Sequence, residues 1–157
     1  MPEPIVASRW YADARAGGDL GVRGASLARL HSVVDARGEL IVGELGRELA
    51  FTPRRFFLIS RVPGKDIRGE HAHRELRQFL VCLAGSVLAE VDDGERRRAV
   101  VLDSPRVGLA VEPKVWDAQS QYSADAMLLV VASSEYDPAD YIREYDAFLA
   151  AVRAGPR

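Results

Sequence analysis

The chain has 157 residues, 48% of them hydrophobic, which suits one domain with a sizeable core. Its 21 Lys and Arg nearly balance 23 Asp and Glu, so a formal net charge of -2 gives no electrostatic reason for a nucleic-acid or membrane-surface partner. The single cysteine, Cys82, excludes an intrachain disulfide and a cysteine-rich zinc site and fits a reducing, cytoplasmic setting; no stretch approaches the ~18 apolar residues of a membrane span, and the first residues lack the apolar core of a signal peptide.

Residues 1–25 are rich in Gly, Ala and Arg without a sustained period. They read as an N-terminal arm or extension outside the main fold, with one short helical turn near Trp10 and Tyr11. The remainder, 26–157, reads as one domain. Short apolar runs separated by turn residues follow: "SLARLHSVV", the turn "DARG", "ELIVGEL", "RRFFLISRV" and the loop "PGKDIRGE". Then come "HRELRQFLVCLAGSVLAEV" and "RRRAVVL", joined by "DDG", whose Asp-Gly pair between alternating runs is a strong hairpin signal. "RVGLAVEP" and "AMLLVVAS" add two more strands, and the stretch around "EPKVWDAQ" another. So many short strands at this spacing predict an all-β fold, a jelly-roll sandwich or barrel. Within it Cys82 alternates with Leu80 and Ala84 and reads as inert core.

The last segment changes period. In "YDPADYIREYDAFLAAVRAGP" Asp137 can cap a helix with Pro138 at its first position, and Tyr141, Ile142, Tyr145, Phe148, Leu149 and Val152 fall at helical spacing. A C-terminal α-helix over 138–154 is predicted, its stripe packed on the sheet or on a second subunit.

Chemistry concentrates at "RGEHAHRELRQ". His71 and His73 are two apart, so on a strand both imidazoles project from one face. Three readings stay open: hydrogen-bonded structural histidines; a metal site of both with a carboxylate such as Asp117, since the one other histidine, His31, lies early in the chain; and acid–base chemistry, for which an imidazole titrating near neutral pH is suited.

The spacing His71, His73, Gln78 and Gly85 resembles the first cupin signature, with Gln78 where metal-binding cupins carry glutamate. More specifically, "RGEHAHRELRQFLVCLAGSV", "LDSPRVGLAVEPKVW" and "ASSEYDPADYIREYDAFL" closely resemble the sugar 3,4-ketoisomerases, the WxcM-like cupins acting on dTDP-4-keto-6-deoxyglucose. The similarity runs from about Leu30 to Leu149 and leaves 1–25 uncovered.

The resemblance implies a cupin β-barrel without metal or redox cofactor, working as a homodimer that exchanges N-terminal strands and binding a dTDP-linked keto-deoxysugar. It implies transfer of a ketone from C4 to C3 through an enediol, with His71 as base and His73 as a second proton carrier or orienting partner. Arg68 and Arg55 match positions suited to the diphosphate or the enolate oxygen. Arg37 falls where the family reads the configuration at C4, Gln78 where a side chain bonds a histidine or the sugar, and Trp116 completes the substrate-binding set. This chain carries Phe56 and Phe57 where the family usually has a tyrosine pair, and Asp117 where a basic or histidine side chain is common; His73 or Tyr122 could fill the missing phenol's role. The alternative function is a diverged cupin that binds a sugar without catalysis, or isomerises or cyclises another ketone-bearing metabolite.

Overall fold

The computed structural model describes residues 2–155. In chain order it holds β1 (Ile5–Val6), α1 (Ala7–Ala12), β2 (Ala25–Arg29), β3 (His31–Asp35), β4 (Gly38–Val42), β5 (Arg55–Ser60), β6 (Arg68–His73), β7 (Gln78–Ala84), β8 (Val87–Asp92) and β9 (Arg97–Leu102). They are followed by β10 (Val107–Val111), β11 (Trp116–Ser120), β12 (Met127–Ala132), a 3-10 turn (Pro138–Asp140), β13 (Tyr141–Ile142) and α2 (Tyr145–Arg153). One sheet runs β1-β9-β8-β11-β6-β13, a second β2-β10-β7-β12-β5, and β3 and β4 form a separate hairpin. The two larger sheets enclose one apolar core, with Val87, Val91, Val100 and Leu102 from the first meeting Leu80, Leu109, Leu128 and Val130 from the second. This is the predicted all-β jelly roll with a C-terminal helix.

The predicted "DDG" hairpin is present: Asp92 lies opposite Arg97, Gly94 takes φ +90°, and the Asp93 carboxylate accepts from the backbone N–H groups of Glu95 and Arg96. Cys82 is fully buried, as expected, and burial raises its thiol pKa, which disfavours the reactive thiolate.

The N-terminal arm is a correction. Ile5 and Val6 pair in parallel with Val100 and Val101, and Ala7, Trp10, Leu20 and Val22 join the main core. The Arg29 guanidinium, 4.0 Å over the Trp10 ring, donates to the carbonyls of Trp10, Asp13 and Ala16. A few large anchors and one clamping arginine hold the segment, which is why its composition shows no periodicity.

The C-terminal helix is also shorter than predicted. The Asp137 carboxylate does accept from the Ala139 N–H, but only a 3-10 turn follows before Tyr141 and Ile142 extend and pair with His73 and Ala72. The Asp140 side chain bonds His73 and the Glu75 N–H, pinning the chain to the sheet edge and delaying the helix to Tyr145.

Candidate active site

Between the sheets, at the end formed by β5, β6 and β13, opens a cavity of about 350 Å³ lined by Arg55, Arg68, His71, His73, Gln78 and Asp117, with Tyr141 and Arg143 on its wall. A roomier surface groove of about 650 Å³ passes Arg23, Asp93, Arg96 and Glu112. No histidine or tyrosine lines that groove, a third recess past Tyr11 and His31 holds one histidine, and the smaller cavity alone of these three brings two histidines together.

Alternation along the strands selects who enters. His71 and His73 share a face of β6, as predicted. Gly69 precedes them at φ +80°, and a Cβ there would stand 2.9 Å from the Asp117 carbonyl oxygen. Only glycine permits that approach, and its carbonyl accepts from His71 Nδ1 at 2.9 Å. His73 Nδ1 donates to Asp140 Oδ2, also at 2.9 Å. Both imidazoles are thereby held with Nδ1 as donor, and neither Nε2 has a protein hydrogen bond among the described residues. The His73 pKa is lowered to about 4, chiefly by burial and secondly by the nearby His71, so His73 is neutral at pH 7 and resists protonation.

Tyr141 packs against both imidazoles, its ring 4.8 Å from His71 and 4.5 Å from His73. The helical-stripe reading missed it; the signal lay in its register with His73, visible only once β13 exists. Arg143, 4.4 Å over the Tyr141 ring, and Asp140 were missed for the same reason. Arg55, Arg68 and Arg143 take part in none of the salt bridges among the described residues, and Arg55 Nε is buried without a partner. Uncommitted guanidinium groups around a cavity favour an anionic ligand.

At the cavity floor Asp117 is 3% exposed. Its Oδ2 accepts from Gln78 Nε2 at 3.2 Å and its Oδ1 from Gln119 Nε2 at 2.6 Å. Burial pushes the carboxyl pKa up, against the opposing pull of His71 and the two amides. No cluster of three or more His, Cys, Asp or Glu side chains able to hold a metal occurs among the described residues.

The other expected residues lie elsewhere. On β11 Asp117 and Gln119 point inward, so Trp116 falls on the opposite face, packed 5.2 Å from Tyr145 and 5.6 Å from Phe148. Arg37 sits at the β3–β4 hairpin tip, its side chain 90% exposed and paired with Asp35. His31 lies on the same hairpin. Phe57 lines the cavity, whereas Phe56 is on the outer face and 70% exposed. Tyr122 is in the core with its hydroxyl unpartnered, and burial raises its pKa to about 12.

Comparison with known proteins gives the family. The family model "FdtA: WxcM-like, C-terminal" matches residues 23–153. The TDP-4-oxo-6-deoxy-alpha-D-glucose-3,4-oxoisomerase of Aneurinibacillus thermoaerophilus is 43% identical over 116 residues, 74% of this chain and 84% of that protein. A mutant of the 3,4-ketoisomerase QdtA from Thermoanaerobacterium thermosaccharolyticum superposes with TM-score 0.82 at 30% identity, covering 85% of this chain and 97% of that one. The WlaRB TDP-quinovose 3,4-ketoisomerase of Campylobacter jejuni gives 0.79 at 35% identity, over 82% and 99%. The chain therefore belongs to the WxcM-like family of cupin sugar 3,4-ketoisomerases.

Proposed function

We propose that this protein moves the ketone of a TDP-linked 4-keto-6-deoxyhexose from C4 to C3. The observation that carries the reading is the pair His71 and His73, each fixed through Nδ1 and each presenting Nε2, in a cavity ringed by uncommitted arginines. The relatives support the substrate class: the QdtA structure is a complex with TDP-4-keto-6-deoxyglucose, and the Aneurinibacillus protein bears that sugar in its name.

The C3 proton is acidified by the adjacent C4 carbonyl. His71 Nε2 removes it, an enediol forms, and the proton is returned at C4; no net oxidation occurs. His73, neutral at pH 7, sits beside His71 as its orienting partner. Arg55, Arg68 and Arg143 hold the diphosphate or the developing enolate oxygen. Tyr141 supplies a phenol inside the cavity, a group that Phe57 on the opposite wall cannot offer. Gln78 acts through Asp117 rather than through a histidine. A nucleotide-sugar substrate goes with a cytoplasmic site of action.

The working unit in this reading is a homodimer with exchanged N-terminal strands. β5 is an unpaired sheet edge, its outer face exposes Phe56 at 70% and Leu58 at 51%, and the separate hairpin exposes Val34 at 67% and Leu40 at 62%. Exchange of that hairpin gives Arg37 a route to a cavity that it lacks within its own barrel.

Incubation of the purified protein with TDP-4-keto-6-deoxyglucose in deuterated water tests the activity. Deuterium at the reacting carbons together with a 3-keto product is expected. Neither appearing, with the nucleotide sugar shown to bind, rejects catalysis in favour of a sugar-binding role.

A further inference from the structure

Isomerisation through an enediol moves two kinds of proton. One leaves C3 and arrives at C4, which the histidines can carry. The other must leave the C3 oxygen while the C4 oxygen gains one, and a shuttle between adjacent oxygens needs a group that donates at one point and accepts close by. Guanidinium groups cannot accept, and the Tyr141 phenol offers a single oxygen. A neutral carboxyl presents a donor on one oxygen and an acceptor on the other, side by side, so it can face two vicinal oxygens at once.

The cavity contains one such group at its floor, Asp117. It stands opposite His71 in the β11–β6 register, and none of the salt bridges among the described residues includes it. The Gln78 and Gln119 amides each occupy one acceptor position on one oxygen. That fixes the plane of the carboxyl and leaves a second position on each oxygen for the ligand. The titratable group that acts on it is His71 from β6, and its own charge acts in turn on Tyr122, from the turn after β11. Burial favours its neutral form.

Resting on the isomerase reading, we propose that Asp117 is a catalytic residue that carries the oxygen-bound proton between the C3 and C4 oxygens of the sugar. In the first step the C3–H bond breaks, its proton passes to His71 Nε2, the C3=C4 double bond forms, and the carboxyl of Asp117 gives its proton to the C4 oxygen. In the second step the carboxylate takes the proton of the C3 hydroxyl, the C3=O bond forms, and His71 returns its proton to C4. Both side chains end neutral, as they began, and no co-reactant is consumed. Between the steps an imidazolium and a carboxylate face each other across paired strands, which stabilises the intermediate.

Asp117→Asn retains the shape but cannot carry the proton. Wild-type turnover in deuterated water is measured first, so that failure of the isomerase reading shows as an inactive wild type. In an active preparation, Asp117→Asn is expected to keep KM within about threefold and lose about 10²- to 10⁴-fold in kcat, with deuterium still entering C3 of recovered substrate more often than product forms. A kcat within threefold of wild type overturns the proposal. So does a loss in which substrate affinity falls by the same factor as kcat, which marks a structural role. If the variant does not fold, infrared difference spectra of the wild type with ¹³C-labelled aspartate decide. A neutral carboxyl that ionises transiently during turnover is expected, and absence of any neutral aspartate at pH 7 overturns the proposal.

Discussion

Replacing Asp140 by Asn tests whether its carboxylate fixes the tautomer of His73. That carboxylate accepts from His73 Nδ1 at 2.9 Å and from the Glu75 N–H at 2.8 Å. An asparagine amide offers one acceptor oxygen, so one of the two donors loses its partner. His73 is 4% exposed, and water cannot readily replace the lost bond. A hydrogen bond to a charged group contributes about 1.5–3 kcal/mol, and an orphaned buried donor costs a similar amount. A loss of about 2–3 kcal/mol follows, which in a domain of this size lowers Tm by roughly 4–12 °C. The charge state of His73 should not change at pH 7, because Asp140 raises its pKa and removing that contribution drives it further below about 4. A fall in kcat, about 10²-fold or more by the precedent of triad histidines freed from their carboxylate, therefore reports tautomer and orientation rather than charge. Calorimetry at pH 7 gives the stability, and ¹⁵N–¹H correlation spectra of the histidine ring give the tautomer. An Asp140→Asn protein that melts within 1 °C of wild type (~1 °C being below the smallest expected shift) and keeps the Nδ1–H tautomer refutes the reasoning.

The lowered pKa of His73 also makes stability depend on pH. The unfolded imidazole titrates near 6.5 and the folded one near 4, so the folded state binds fewer protons between these values. The contribution is full above about 6.5 and is lost by about 3 kcal/mol as pH falls to 4. Asp117, raised by burial, acts in the opposite sense, so the check is the difference in urea midpoint between wild type and His73→Asn at neutral and acid pH, which should shrink on acidification. Gly108→Ala should cost about 1–3 kcal/mol by overpacking, because its Cβ would lie 1.9 Å from Cζ of the buried Phe79; Gly17→Ala, with nothing within 4 Å, should not shift Tm. Tyr141→Phe should leave Tm within a few degrees and lower kcat at least tenfold, since it removes only the cavity phenol; an unchanged kcat excludes that hydroxyl from the chemistry. Phe56→Asp should turn the proposed dimer into monomer at micromolar concentration in sedimentation equilibrium, and a dimer of unchanged stability would place the interface elsewhere.

Much of this was legible in the sequence because strands record their faces. The two-residue spacing of His71 and His73 placed both on one side, and the alternation of Leu80 and Cys82 marked the face of β7 that enters the main core. The same rule, applied to β11, separates Trp116 from Asp117. The sequence reading placed Trp116 at the site, but adjacent residues cannot face the same way, and the neighbour entered the cavity instead. Arg37 illustrates a different limit: its place in "DARG" fixes a hairpin turn, but a hairpin tip can lie far from the barrel in its own chain.

The segment 138–142 resisted prediction because two physical signals competed there. Tyr141 and Ile142 satisfy a helical stripe that continues correctly through Tyr145, Phe148 and Val152, and Asp137–Pro138 is a sound helix start. Against it stood tertiary bonds, from Asp140 to His73 and Glu75 and from Tyr141 to the edge of β6, which no local pattern announces. Those bonds couple the helix position to the site. Ile142 and Phe148 pack with Ala72, which lies between the two histidines, so the same short strand that delays α2 also orients His73, brings Tyr141 against both imidazoles and sets Arg143 at the cavity wall. A change in the C-terminal segment should therefore be felt in catalysis, through His73, as well as in the stability of the barrel.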